Sequence, residues 1–362
     1  RWYTQAGTPS VRASGRYDAA ARRYELTLSQ STAATPGQPT KEPFHVPVAV
    51  KLLLRDGTPA ADERVLSLTE AEQTFTFDGV PSEPVPSLLR GFSAPVKLVV
   101  DRSDADLAFL ASADDDAFNR WDATQQLSSR VLLALAERVG AQPAADLALP
   151  APFVDAFRAT LTADELEPSL RAYSLTLPDY STLSQEVDTV DPDALLGALR
   201  FTRRALAEAL RPELTELYRQ LSPEAAQPFG VAPEEVGRRR LRNLCLSYLS
   251  RLEDAPAIAL CREQFAQATC MSDSLAATAA LAPIECAERD EVLGEFYARA
   301  KANKEELVIN KWFTVQASTD SADALDTARA LMAHEAFDMT NPNRVRSVVN
   351  VFAANPAGFH VA

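Results

Sequence analysis

The sequence predicts a multi-domain protein, with an antiparallel β-sandwich followed by an all-α domain of stacked helix pairs. Its 362 residues exceed the roughly 250–300 at which a single core stops growing. Six of the 12 glycines fall within the first 91 residues, which indicates many turns there. Residues 1–100 carry 11 basic and 10 acidic groups, whereas the remainder carries 25 and 40. Composition and charge therefore change together after about residue 100.

The first part shows the apolar period of two that is typical of half-buried strands. Turn signals at Asp56-Gly57 and Asp78-Gly79 separate the apolar runs. We therefore predict a β-sandwich over residues 1–101. The alternating apolar residues are Tyr24, Leu26 and Leu28, then Val46, Val48, Val50, Leu52 and Leu54, then Phe75 and Phe77, and finally Val96, Leu98 and Val100.

From Ser103 onward the apolar period is helical, and Ser103 is a candidate N-cap for the first helix. Pro192 can begin another helix, and Pro212 either kinks that helix or begins the next one. No fixed repeat length is visible, which excludes a regular tetratricopeptide or ankyrin array. We predict an irregular helical solenoid over residues 102–362.

The composition also limits the partners and the compartment. The net charge of −14 argues against nucleic acid or an anionic membrane as a partner, and no run approaches the ~18 apolar residues of a membrane helix. Four cysteines occur without a C-x-x-C pair. We expect them to be reduced core residues, which favours a cytoplasmic protein.

No common catalytic signature is present, since the sequence lacks the G-x-S-x-G elbow, the P-loop and the dinucleotide motif. His334-Glu335 begins like the zinc motif H-E-x-x-H, but Asp338 stands where the second histidine is needed. We therefore predict no metal site in this chain.

Two charged runs have the composition of ligand sites. The acidic run 114–116 is expected to be a solvated turn between helices, with a cation site as the alternative. Arg238, Arg239, Arg240 and Arg242 are expected to form a solvated or ion-paired helix face, with an anion site as the alternative.

Six uncommon strings resemble, in the same order, the C-terminal part of the bacterial aminopeptidase N family, the alanyl aminopeptidases among the zinc metallopeptidases. The resemblance covers essentially the whole chain and implies a linker β-sandwich followed by a helical domain. The strings are RWYTQAGTP (1–9), AEQTF (71–75), FSAPVK (92–97), FNRWDA (118–123), KWFTVQA (311–317) and NPNRVRS (341–347).

The resemblance also implies a function for the intact protein, which would remove single N-terminal residues from peptides by zinc-assisted hydrolysis. The zinc ligands and catalytic residues of the family lie upstream of the segment similar to Arg1. We therefore expect a chain cut at both ends, without catalytic residues or a cofactor, that is inactive alone. It would form the wall and lid of a substrate chamber, with the missing catalytic domain and peptide substrates as partners.

Arg346 is the first candidate for a substrate-channel residue, and Arg344 is the second. The resemblance implies that the position of Arg346 contributes a guanidinium to the channel, where its planar fork suits a peptide carboxylate or carbonyl. A structural ion pair is the alternative for both residues. At the level of function, a free-standing helical-repeat adaptor that binds another protein and a carbohydrate-binding sandwich remain as alternatives.

Overall fold

The computed structural model describes residues 1–141, 146–223, 229–321 and 323–360. The chain divides into two compact units. The first consists of Arg1–Ser128 with Ala151–Thr160, and the second of Ser129–Pro150 with Leu161–Ala362. The last strand ends at Val100 and the first helix begins at Asp104. The domain boundary after residue 101 stays a prediction.

Two sheets form most of the first unit, with the strand orders β5-β2-β1-β7 and β4-β3-β6. Neighbouring strands pair antiparallel, apart from β1 and β7, which run parallel with Val11 opposite Leu98. The predicted β-sandwich is therefore confirmed. The strands are β1 (Ser10–Asp18), β2 (Arg23–Ser31), β3 (Val46–Leu53), β4 (Pro59–Leu68), β5 (Glu72–Asp78), β6 (Val85–Leu88) and β7 (Lys97–Val100).

The core of the sandwich contains most of the apolar residues that alternate in the sequence, but Leu54 lies outside it. Leu26 and Leu28 of β2 are buried with Val48 and Val50 of β3 in one apolar cluster. Alternate side chains point to one face of each strand, so the two sheets share the dry interior.

Helices follow the sandwich. Ser103 caps the first of them, because its Oγ accepts from the Asp106 N–H at 3.1 Å. The helices are α1 (Asp104–Ala113), α2 (Ala117–Ala136), α3 (Ala151–Leu161), α4 (Pro168–Ser174), α5 (Tyr180–Ser184), α6 (Pro192–Ala209), α7 (Arg211–Leu221), α8 (Pro233–Leu249), α9 (Ala255–Gln267), α10 (Met271–Leu281), α11 (Ala287–Ala302), α12 (Glu306–Ala317), α13 (Ala324–Met332), α14 (Pro342–Val345), α15 (Val351–Ala353) and α16 (Pro356–Phe359).

Successive helices of the second unit pack in pairs, with α7 on α8, α9 on α10 and α11 on α12. Contacts of α10 with both α8 and α12 join one pair to the next. Pro212 lies in the first turn of α7, so it begins a helix rather than kinking α6. The predicted stack of helix pairs is confirmed.

The acidic run 114–116 is not a solvated turn, and that expectation was wrong. Asp114 is fully buried, and its Oδ1 accepts from Nη1 of Arg90 at 2.8 Å. Nη2 of the same arginine donates to Asp115 at 2.7 Å. Burial raises the pKa of Asp114, and Arg90 offsets part of that rise. The run is an ion-paired structural element of the first unit.

The four cysteines are free thiols, but the prediction that all of them are core residues holds only for Cys245 and Cys261. Cys245 and Cys261 are buried, whereas Cys270 and Cys286 are half-buried at the starts of α10 and α11. Among the described residues, no helix is both long enough and apolar enough to cross a membrane.

Candidate functional site

The two candidate arginines lie in a segment that begins with a capped turn. Oδ1 of Asn341 accepts from the N–H groups of Asn343 and Arg344, at 3.0 and 3.3 Å, and Pro342 occupies the first turn of α14. An asparagine cap followed by proline is a strong signal for the start of a helix. The sequence around Asn341 therefore explains where the segment begins.

The helix widens at Arg346. Residues Arg346–Asn350 form a π-helical turn, in which the N–H of Val351 donates to the carbonyl of Arg346, five residues earlier. Such turns are rare and occur frequently at functional sites. The π turn therefore marks the position of Arg346 independently of any sequence resemblance.

Arg344 is buried, with only 3% of its surface exposed. Its Nη2 donates to Oε2 of Glu306 on α12 at 2.5 Å, and its guanidinium lies 5.1 Å from the ring centre of Phe313. Ser347 donates to the backbone carbonyl of Arg344 at 2.8 Å. These contacts fix the start of the segment against α12.

Arg346 is exposed. Among the residues that the structure describes, no hydrogen bond or ion pair engages its side chain. A guanidinium without an internal partner keeps its planar set of donors available for a carboxylate or a carbonyl. Of the two candidates, Arg346 is therefore the one that can contact a ligand directly.

His334 packs among aromatic side chains. It lies just beyond the end of α13, and its ring centre is 5.0 Å from that of Tyr297 and 4.9 Å from that of Trp312. Its Nδ1 accepts from the N–H of Ala336 at 3.2 Å. Over the described ranges, no group of three or more histidine, cysteine, aspartate or glutamate side chains is arranged to hold a metal ion. Among the described residues, His334 and its neighbours therefore lack the set of ligands that a zinc ion needs.

Sequence reasoning missed two features of this site. Glu306 was not identified as the partner of Arg344, because 38 residues separate them and neither belongs to a motif. The π turn was also missed, since its sequence RSVVN has the composition of an ordinary helix. Only the cap at Asn341 had a local signal.

Residues 104–362 match the family described as a domain of unknown function (DUF3458_C) with ARM repeats. The chain belongs to this family. The sandwich preceding the DUF3458_C region, residues 7–101, matches a domain of unknown function (DUF3458) with an Ig-like fold. Both descriptions agree with the fold described above.

The chain is also similar to enzymes of known name. Aminopeptidase N of Escherichia coli (strain K12) is 39% identical over 369 residues, which cover 99% of this chain and 42% of that protein. Aminopeptidase N of Caulobacter vibrioides is 38% identical over 364 residues, which cover 99% of this chain and 41% of that protein. The chain thus spans about two-fifths of the length of these relatives.

The fold of the chain is also similar to that of a solved aminopeptidase structure. The crystal structure of Legionella pneumophila aminopeptidase A in complex with aspartic acid superposes with a TM-score of 0.79 at 28% identity, covering 99% of this chain and 41% of that one. The resemblance to aminopeptidase N that the six strings predicted is confirmed.

Proposed function

We propose that this chain is the non-catalytic C-terminal part of a zinc metallo-aminopeptidase and forms the wall and lid of its substrate chamber. The observation that carries the proposal is the match to aminopeptidase N over 99% of the chain, at 39% identity, in a protein more than twice as long. In this proposal the zinc ligands and the catalytic residues belong to the upstream part of the intact protein.

Arg346 is the proposed contact between the helical part and the distal end of a peptide. Its exposure and its position in a π turn support this role. Arg344 stays the second candidate. Because Arg344 is buried against Glu306 and Phe313, we propose that it acts by holding the turn that carries Arg346.

The free cysteines indicate the kind of compartment in which the intact protein works. All four are free thiols, which is usual in a reducing environment. We propose that the intact protein works in the cytoplasm.

The proposal is tested by comparing the 362-residue chain with the intact product of its gene. The intact protein should contain zinc, release N-terminal residues from short peptides and leave a folded protein with an accessible N-terminus uncut. The 362-residue chain should neither retain stoichiometric zinc nor cleave an aminoacyl nitroanilide. Aminopeptidase activity in the chain alone would overturn the proposal. A reading frame that encodes only this segment would instead favour the adaptor.

A further inference from the structure

The second unit contains a cavity of about 900 Å³ between α7, α8, α9 and the start of α10. Its size lies within the usual range for a small-molecule site. The lining is unusually rich in arginine, with Arg219 contributed by α7 and Arg238, Arg239 and Arg242 by α8. This cavity is separate from the Arg346 segment and has no part in the proposed peptidase function.

The three arginines of α8 share one face of the helix. Arg238 and Arg242 are four residues apart, and Arg239 and Arg242 are three apart, so their side chains are neighbours on the helix surface. Like charges at these spacings destabilise an isolated helix. Pairing with Asp273 offsets part of that repulsion at Arg242, and a bound anion would offset it at Arg238 and Arg239.

The floor of the cavity is fixed by a buried polar network. Nη2 of Arg242 lies 2.6 Å from Oδ2 of Asp273, and both side chains are at least nine-tenths buried. Asn243 also donates to Asp273, at 3.1 Å, and Gln264 donates to Asn243 at 2.8 Å. The hydroxyl of Tyr218 bonds Oε1 of Gln264 at 3.1 Å. Side chains held in this way form a pre-organised wall.

One donor in this wall has no partner. Nε of Arg242 is buried and makes no hydrogen bond among the described residues. A buried polar atom without a partner is unfavourable, and such an atom in a cavity wall calls for an explanation. Because Nε has almost no accessible surface, a ligand in the cavity would not contact this atom, and binding would fall to the other donors of the lining.

The carboxylates of the lining leave a positive excess. Asp273 is neutralised by Arg242. Glu235 accepts from the N–H of Ala232 at 3.3 Å, and the exposed Glu263 accepts from Gln267 at 3.0 Å.

The other three arginines of the lining have no such acidic partner. No carboxylate of the described chain lies within ion-pair distance of Arg219, Arg238 or Arg239. Arg239 lies over the ring of Phe229, 4.8 Å from its centre. The cavity is therefore cationic although the chain carries a net charge of −14.

The start of α10 adds to this positive potential. Cys270 occupies the N-cap position of this 11-residue helix, lines the cavity and makes no side-chain capping bond. Free backbone N–H groups and the positive end of the helix dipole both favour an anion.

We propose that this cavity binds a small anion carrying two or more phosphate or carboxylate groups. Arg238 and Arg239 provide the charge-assisted hydrogen bonds, Arg219 closes the site from α7, and the pair of Arg242 with Asp273 holds the wall. Planar guanidinium groups suit both kinds of anion because they donate two parallel hydrogen bonds to paired oxygens.

The test is isothermal titration calorimetry of the full 362-residue chain with inorganic pyrophosphate and with citrate, in chloride buffer of about 0.15 M ionic strength. We expect saturable binding of one equivalent. The double variant Arg238→Gln/Arg239→Gln should weaken that binding at least about tenfold. The matched control is Arg204→Gln/Arg262→Gln, which removes the same charge from exposed, ion-paired positions of α6 and α9 and should bind like wild type.

Tighter binding of pyrophosphate assigns the site to phosphates, and tighter binding of citrate assigns it to carboxylates. The proposal is overturned if neither anion binds saturably or if the control pair loses as much affinity as the double variant. If the double variant loses its helical circular dichroism signal, the exposed Arg219→Gln takes its place. Unchanged affinity in a folded Arg219→Gln would then exclude the site.

Discussion

Arg344 and Arg346 differ by two positions and occupy opposite environments. Two residues of a helix point about 200° apart, so one side chain packs inward when the other faces solvent. Arg344 lies against Glu306 and Phe313, whereas Arg346 is exposed. A substitution of Arg344 should therefore change stability, whereas a substitution of Arg346 should change substrate binding.

In the intact protein, Arg346→Ala should weaken the turnover of peptides and spare small aminoacyl nitroanilides. A one-residue amide cannot reach the distal part of the chamber, whereas a peptide can. Loss of a charge-assisted hydrogen bond is worth ~1.5–3 kcal/mol, so kcat/KM for peptides should fall by roughly ten- to a hundredfold. Steady-state kinetics on both substrate types provide the measurement.

The control for this substitution is Arg329→Ala, which removes an exposed arginine of α13 that pairs with Asp326. It should leave both substrates unaffected. Arg346→Lys should restore part of the peptide activity, because an ammonium lacks the fork of the guanidinium. Equal losses of Arg346→Ala on both substrates, with a lower Tm, would show a structural role instead.

Buried Arg344 and its exposed partner Glu306 should respond unequally to substitution. Glu306→Ala leaves the buried guanidinium without its carboxylate and should lower the free energy of unfolding by about 2 kcal/mol. Arg344→Met removes the buried charge, leaves an exposed glutamate and should change stability by less than about 1.5 kcal/mol. Urea unfolding of the two variants measures the difference. If Arg344→Met loses more stability than Glu306→Ala, the contact of the guanidinium with the ring of Phe313 contributes more than the ion pair does.

At the level of elements, the sequence predicted the strands and helices in which buried residues recur at a regular spacing. Leu26 and Leu28 identified β2, and Ser103 identified the start of α1. The strand β1 was missed because its sequence SVRASGRYD contains few apolar residues and carries charge on its exposed face. Pairing with β2 and β7 holds it in the sheet, and such long-range pairing leaves no local pattern.

The helices should also determine which cysteines react. Burial raises the pKa of Cys245 in α8 and of Cys261 in α9 to about 12, so both remain protonated thiols near pH 8. Cys270 and Cys286 lie half-buried at the N-cap positions of α10 and α11. Iodoacetamide at pH 8 should therefore modify the latter pair first, as judged by peptide mass spectrometry.

Denaturant gives the control for this experiment, because all four cysteines should react alike once the chain is unfolded. Modification of Cys245 in the native protein at the same rate as Cys270 would contradict the close packing of α8.

At the level of the whole molecule, the sequence could predict the order of domains but not the sites. The change from a period of two to a helical period is local information. The arginine cavity instead requires α7, α8, α9 and α10 to meet, and its run of arginines resembled an ordinary solvated helix face. In the same way, the burial of Asp114 depends on Arg90, which lies 24 residues earlier in the sandwich.

The boundary after residue 101 can be tested through that ion pair. A fragment of residues 1–101 lacks Asp114 and Asp115, two of the three carboxylates that pair with Arg90, and keeps only Glu63. It also lacks Asp116, whose carboxylate accepts from the N–H of Gly91 at 2.8 Å. We expect a fragment of residues 1–128 to be more stable by about 3 kcal/mol in urea unfolding. Equal stability of the two fragments would instead show that residues 1–101 form a sandwich that does not need the residues after the boundary.

The π turn at Arg346–Asn350 affects how this protein should be aligned with its relatives. A π turn contains one more residue than the α-helical turn it replaces, so it is equivalent to a single-residue insertion. Deleting one residue there would restore an α-helix and rotate the side chains on one side by about 100°. A relative with an ordinary helix would then need a one-residue gap in this segment. Without that gap, the residue aligned with Arg346 in such a relative could be identical in type and still occupy a different position in space.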